Sequence, residues 1–151
     1  MQKVSDEILE QIRNSEFEQA KSHLLENLKT EPYNPASHFF LGVCNRQLNL
    51  LIEARDNYEY ALQLKNNYAQ ALINLGAIYR MLCEWELAES KFEAALKLQP
   101  GLTITYYNMG LLYIQSENQP KYKEVLDILK RDDPEYEKLL IRFKSNFDRQ
   151  N

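Results

Sequence analysis

The stretch ALINLGAIYRMLCEWELAESKFEAALKLQP, residues 71–100, decides the fold, because it places small residues inside two helix-forming runs. Glycine weakens an isolated helix, but it lets a second helix approach closely. Gly76 has counterparts at equal distances before and after it in the chain, at Gly42 and Gly110. A fixed interval of about 34 residues indicates an internal repeat made of one supersecondary unit.

Other positions keep the same interval, or a multiple of it. They are Ala20, Ala54 and Ala88, then Ala61 and Ala95, Tyr58 and Phe92, and Pro32, Pro100 and Pro134. Each period also holds two runs with apolar residues at helical spacing, such as ALINLGAIYRML followed by WELAESKFEAALKL. The sequence therefore predicts a helix, a turn and a second helix in every period.

Composition limits the possible functions. A chain of 151 residues with 44% hydrophobic residues suits one domain with its own core. The net charge of −4 argues against nucleic acid, which is bound through clustered Lys and Arg. The chain has no apolar run near the ~20 residues that cross a bilayer, and the start MQKVSDEILE lacks the apolar core of a signal peptide. We therefore expect no membrane insertion and a cytoplasmic location.

Motifs for catalysis or metal binding are missing from the sequence. Cys44 and Cys83 form no CxxC pair, so we expect neither a disulfide framework nor a zinc site, and we expect both thiols to pack as small apolar groups. His23 and His38 are isolated, and no HExxH motif or glycine-rich phosphate loop is present. We predict a packed or hydrogen-bonded His38, no enzyme activity, and no metal or cofactor.

The repeat resembles the tetratricopeptide repeat, whose pattern is W-x2-L-G-x2-Y, A-x3-F, A and P within about 34 residues. Residues 69–102 carry the markers Leu72, Leu75, Gly76, Tyr79, Ala88, Phe92, Ala95 and Pro100, with Leu72 in place of the large aromatic. Residues 35–68 keep Leu41, Gly42, Ala54, Tyr58 and Ala61. In residues 103–136, Tyr122 replaces the small alanine, and Leu126 and Leu129 replace Phe and Ala, so we expect its second helix to pack at an altered distance.

The resemblance implies an all-α fold, a right-handed superhelical stack of antiparallel helix pairs closed by a C-terminal capping helix. We divide the chain into a repeat domain at residues 1–136 and a capping helix and tail at residues 137–151. The repeats are predicted at 1–34, 35–68, 69–102 and 103–136. The first is degenerate, with Ile8 at the glycine position, and its first helix is the least supported element.

In the family, the first helix of each repeat lines the concave side, where ligands usually bind. The matching positions here predict a groove, and we select as its partner-binding residues Phe39, Phe40, Val43, Arg46, Ile73, Asn74, Ala77, Arg80, Tyr107, Asn108 and Leu111. Most of these are apolar, and a sizeable exposed apolar patch usually marks an interaction site. The alternatives are packing between helices and cover by the chain's own tail.

Two pairs of polar residues occupy matched places in that groove. Asn74 and Asn108 lie one repeat apart, and an asparagine amide can both donate to and accept from a peptide backbone. Arg46 and Arg80 are also matched, and two guanidinium groups can hold a carboxylate. The alternatives are chance recurrence of asparagine and ordinary solvated arginines. The Lys and Asn clamp with which one subgroup binds chaperone tails is not matched, since Phe40 stands where its central Asn is needed.

Three hypotheses of function follow. The first is a non-catalytic interaction module, or adaptor, that holds a peptide or helical segment of another protein in the groove. The second is a small chaperone of a secreted or assembling client protein, which the chain's size and charge suit. The third is a scaffold that forms homo-oligomers through apolar surface of the imperfect first repeat.

Overall fold

A computed structural model of the protein describes residues 4–150, and this part of the chain contains helices and no strands. Its nine helices are α1 (Asp6–Arg13), α2 (Phe17–Thr30), α3 (Pro35–Gln47), α4 (Leu51–Leu64), α5 (Ala69–Met81), α6 (Trp85–Leu98), α7 (Thr103–Gln115), α8 (Gln119–Asp132) and α9 (Pro134–Gln150). The all-α fold predicted from the repeat is confirmed, and α1 shows that the first repeat also begins with a helix.

The helices form four successive hairpins, and each helix packs against the next one along the chain. In addition, α3 contacts α5, and α5 contacts α7. These first helices of the repeats therefore lie side by side in one inner layer, and their partners α4, α6 and α8 follow as the outer helices. A single apolar core runs from α3 to α9, and a second, smaller cluster joins α1, α2 and α3.

Every turn inside a hairpin uses the same backbone device. Ser15, Asn49, Cys83 and Glu117 have φ values of 64°, 60°, 60° and 56°, and they occupy the same position in successive repeats. In each case the next residue donates its N–H to a carbonyl near the end of the preceding helix, as Leu50 does to Asn45 at 2.8 Å. This left-handed residue reverses the chain tightly. It also corrects one expectation, because Cys83 lies exposed in a turn instead of packing as Cys44 does.

The repeated glycines lie where two helices of a hairpin meet. A Cβ atom at Gly42 would lie 2.8 Å from Cε1 of Tyr58, and one at Gly76 would lie 2.7 Å from Cε1 of Phe92. Both distances are far below normal van der Waals contact. The glycine therefore makes room for the aromatic ring of the outer helix, which is why the two residue types recur together.

The fourth repeat departs from this arrangement. A Cβ atom at Gly110 would overlap Cδ2 of Leu140, which belongs to α9. Tyr122, which stands where the other outer helices have a buried alanine, is itself buried. In this repeat α9 supplies the side chain that covers the glycine.

The capping helix also begins earlier than the predicted division at residue 137. It starts at Pro134, because proline suits the first turn of a helix and the carboxylate of Asp133 accepts the N–H of Tyr136 at 3.2 Å. At its other end the structure describes α9 as far as Gln150. No helix among residues 4–150 is long and apolar enough to cross a membrane.

Candidate functional site

The concave face is formed by α3, α5 and α7, and it contains every residue that the sequence placed in the groove. Several of them are half-buried, so part of each side chain faces the surface: Phe40, Val43, Arg46, Asn74, Arg80, Tyr107 and Asn108. We call these seven the open groove residues. They mix apolar rings with amides and two cationic side chains.

The other four selected residues are buried, which corrects the prediction of a wide apolar groove. Phe39, Ile73 and Leu111 are each 8% exposed, and Ala77 is 5% exposed. The cause is the contact of the first helices with each other, together with ring packing: the ring centroids of Phe39 and Tyr68 lie 4.9 Å apart. These four side chains form the floor beneath the groove, and they are not available as its walls.

One end of the concave face is covered by the chain itself. The ring of Tyr107 stacks on that of Tyr136 at the start of α9, with centroids 5.1 Å apart. Phe143 and Phe147 of α9 pack against the same core. Ile114, which occupies the repeat position of Arg46 and Arg80, is 1% exposed. The accessible part of the face therefore lies over α3 and α5.

Arg80 is the most unusual polar residue of the face. Its Nη1 donates a hydrogen bond to Oε1 of Gln115, while its Nε is buried and has no hydrogen-bond acceptor among residues 4–150. Burial and the positive charge of nearby Arg46 lower the pKa of Arg80. Within the described part of the chain, neither arginine forms an ion pair. An acidic protein thus keeps two neighbouring cations without a carboxylate.

The two asparagines differ in their hydrogen bonds. Asn108 Nδ2 donates to the carbonyl of Ile104 in its own helix at 2.8 Å, which occupies part of its amide. Asn74 lies on α5 in the same face, and its side chain makes no hydrogen bond within residues 4–150. Asn74 therefore keeps its full capacity to donate and accept.

A cleft of about 440 Å³ opens beside Arg80, and the sequence did not single it out. It is lined by Leu51, Arg80, Met81, Cys83, Trp85, Gln115 and Phe147. Two of these residues, Leu51 and Trp85, begin the outer helices of successive repeats at the same repeat position. This recurrence of a large apolar residue was the feature of the sequence that could have indicated the cleft. The contribution of α9 through Phe147 carried no such signal.

Behind the groove, glutamates join neighbouring hairpins. Tyr79 donates its hydroxyl hydrogen bond to Glu59, and burial together with this bond raises the pKa of Tyr79 to about 12. Glu89 accepts from both Tyr113 and Lys121. Burial alone would raise the pKa of Glu89, but these two hydrogen bonds outweigh it and lower the pKa. These contacts fix the spacing of the hairpins.

The remaining candidate groups have structural surroundings. The Nε2 atom of His38 lies 2.9 Å from the carbonyl oxygen of Pro32, and its ring packs edge-on against Tyr60, so it is packed and hydrogen-bonded as the sequence predicted. Cys44 is buried, and burial raises the pKa of its thiol to about 11. Residues 4–150 hold no group of three or more His, Cys, Asp or Glu side chains able to bind a metal.

Comparison with known sequences agrees with the repeat fold. The family model described as "Tetratricopeptide repeat" matches residues 69–102, the repeat with the most marker residues. The "Uncharacterized protein ycf37" of Guillardia theta is 29% identical over 113 residues, which cover 71% of this chain. The "Protein O-mannosyl-transferase TMTC2" of Homo sapiens is 38% identical over 74 residues, or 49% of this chain. The chain spans 64% of the first protein and 9% of the second.

Solved structures share the fold over nearly the whole chain. MamA from Desulfovibrio magneticus RS-1 aligns with a TM-score of 0.78 and 21% identity, covering 95% of this chain and 92% of that one. PilF from Pseudomonas aeruginosa aligns with a TM-score of 0.76 and 24% identity, covering 95% of this chain and 69% of that one. At these identities the likeness concerns the fold.

Proposed function

Because the chain belongs to the tetratricopeptide repeat family, whose fold serves as a protein-interaction module, we propose that it binds a segment of a partner protein on the concave face and catalyses no reaction. The observation that carries the proposal is the set of open groove residues, because it combines apolar contact area with polar groups, the Asn74 amide and the Nε of Arg80, that have no hydrogen-bond partner within the described chain. A surface of this mixed kind is typical of non-obligate protein interfaces.

The accessible area over α3 and α5 determines which kind of partner segment can bind. It is centred on Val43 and Asn74, with Phe40 on one side and Arg80 on the other. Asn74 can hold a peptide backbone, while Phe40 and Val43 offer an apolar surface for side chains. The cytoplasmic location and the adaptor role among proteins there are part of this proposal.

Affinity purification with two matched variants tests the proposal. Val43→Glu places a charge on the open groove, while Leu25→Glu places the same charge on α2, where Leu25 is 47% exposed and lies outside the three groove helices. The native chain and both variants are immobilised and exposed to extract from cells of the source, and circular dichroism checks their helicity.

We expect a protein that the native chain and Leu25→Glu retain, and that Val43→Glu loses. The segment responsible is then mapped by limited proteolysis of the captured protein. Retention of the same proteins by all three chains, with unchanged helicity, would show that the concave face is not the binding surface.

A further inference from the structure

The two arginines of the concave face define the chemistry of the segment more closely than the apolar residues do. Arg46 lies in α3 and Arg80 in α5, at the same position of successive repeats, so the side-by-side packing of these helices brings them to one edge of the face. The titratable groups within residues 4–150 that act on Arg80 are Tyr107 and Arg46, and no carboxylate is among them.

Leaving these cations without a carboxylate is unfavourable in the free protein. The buried Nε of Arg80 donates to nothing within the described residues, and its Nη1 meets the neutral amide oxygen of Gln115. A buried donor without an acceptor is destabilising, and two like charges in proximity repel. A carboxylate placed between the two guanidinium groups would relieve both effects through charge-assisted hydrogen bonds.

Apolar surface lies on both sides of this pair. Along α5, Arg80 follows Ile73 and Ala77 on the same stripe. The part of the groove formed by Phe40 and Val43 of α3 therefore lies on the side of Arg80 that faces the start of the helices. Beyond Arg80 the cleft of about 440 Å³ begins, lined among others by Met81 and Trp85. A bound peptide that contacts both the groove and the cleft crosses the two arginines and extends beyond them.

We propose that the partner segment carries an internal aspartate or glutamate flanked by apolar residues, and that Arg46 and Arg80 together hold its carboxylate. This inference rests on the function proposed above. The continuation of apolar surface past Arg80 favours an acidic side chain within the segment over a free C-terminal carboxylate. One flanking residue occupies the cleft beside Arg80, and the other lies on Phe40 and Val43.

A displayed peptide library tests the inference without knowledge of the partner. Short random peptides are fused ahead of a phage coat protein, so that none has a free C-terminus, and are selected on the native chain with the Val43→Glu variant as competitor. One selected peptide is then synthesised with both ends blocked, and its affinity is measured by fluorescence anisotropy.

We expect the selected peptides to share an acidic residue between apolar ones. Changing that residue to its amide should weaken binding about tenfold or more, because hydrogen bonds between charged groups are worth more than neutral ones. The Arg46→Gln, Arg80→Gln double variant should bind the acidic and amide peptides equally. The control, Arg142→Gln with Arg149→Gln on exposed positions of α9, removes the same charge and should keep the difference.

Three results would overturn the inference in distinguishable ways. Peptides that need the groove but bind equally well as amides would leave the proposed function intact and remove the role of the arginines. An amide peptide that regains affinity through a free C-terminal carboxylate would show that the arginines bind a chain end. Failure to select any peptide that prefers the native chain over Val43→Glu would contradict the groove function itself, and this inference with it.

Discussion

The middle and the C-terminal end of the stack solve the same packing problem differently. In the two middle repeats, the glycine of the inner helix receives an aromatic ring from the outer helix of its own hairpin, Tyr58 for Gly42 and Phe92 for Gly76. In the last repeat, Gly110 receives Leu140 from α9. A repeat position therefore preserves a space between helices, and the neighbour that fills it can change.

This difference bears on function, because α9 does more than close the end of the stack. The same helix that supplies Leu140 stacks Tyr136 on Tyr107 and sends Phe147 to the cleft beside Arg80. The irregular fourth repeat thus lets the cap reach the concave face. Because the cap covers the end of the concave face at α7, α3 and α5 form its accessible part.

The largest expected effect contrasts two residues at the same repeat position. Phe92 is fully buried against Gly76, whereas Leu126, its counterpart one repeat later, is half-buried. We expect Phe92→Ala to lower the free energy of unfolding by about 3–5 kcal/mol. Leu126→Ala should lower it by about 1 kcal/mol, near the average for point substitutions. Urea unfolding followed by circular dichroism measures both, and equal losses would refute the contrast.

The second prediction concerns the replacement partner. Leu140 is fully buried, and Leu140→Ala should lower the free energy of unfolding by about 2–4 kcal/mol, with the loss concentrated in α9. Native-state hydrogen exchange should show faster exchange in residues 136–150 and little change in α3 to α6. Uniform acceleration throughout the stack would mean that α9 is not a separate cap.

A smaller effect is expected from methyl groups added at the glycines. Gly76→Ala forces a Cβ to within 2.7 Å of the Phe92 ring, and we expect a net loss of about 1–2 kcal/mol after the gain in helix propensity. Gly110→Ala meets the end of the flexible Leu140 side chain, so its loss should be below about 1 kcal/mol. Combining Gly110→Ala with Leu140→Ala should give a total loss smaller than the sum, and strict additivity would contradict the contact.

The smallest effect comes from the glutamate between the third and fourth hairpins. Glu89→Gln removes the ion pair with Lys121 and should lower the free energy of unfolding by about 0.5–1 kcal/mol at neutral pH. Because the pKa of Glu89 is lowered in the folded state, its contribution is fully present above the ordinary glutamate pKa of about 4.3 and is lost as the pH falls through the folded value.

Urea unfolding of the native chain and Glu89→Gln at several pH values checks this dependence. The two stabilities should converge as the pH drops below about 4. A difference that persists unchanged well below that pH would show that the carboxylate acts through packing and not through its charge.

Much of the fold was predictable from the sequence, because the interval between the repeated glycines and alanines fixed both helix content and hairpin order. The start of α8 also follows from residue type, because Pro120 lies in its first turn, where a missing N–H costs little. The left-handed turn residue was not predictable from residue type, since Ser15, Asn49, Cys83 and Glu117 share no chemistry that favours positive φ. Only the structure shows that this position recurs.

The sequence predicts a helix face for the candidate site, but it does not predict which side chains of that face are buried. The repeat positions place the selected residues on α3, α5 and α7, yet nothing local indicates that Phe39 and Ile73 lie beneath the surface while Phe40 and Val43 remain partly open. That distinction depends on how closely α3, α5 and α7 pack. The role of Phe147 in the cleft depends on the long-range position of α9.

The most direct test of the concave face as the binding surface is site-specific photo-crosslinking in cells of the source. A benzophenone side chain is placed at Asn74, at the centre of the open groove, and separately at Leu25 on α2. We expect ultraviolet light to join a partner segment to the chain at position 74 and not at position 25. Adducts at position 25 with none at position 74 would contradict the proposed function.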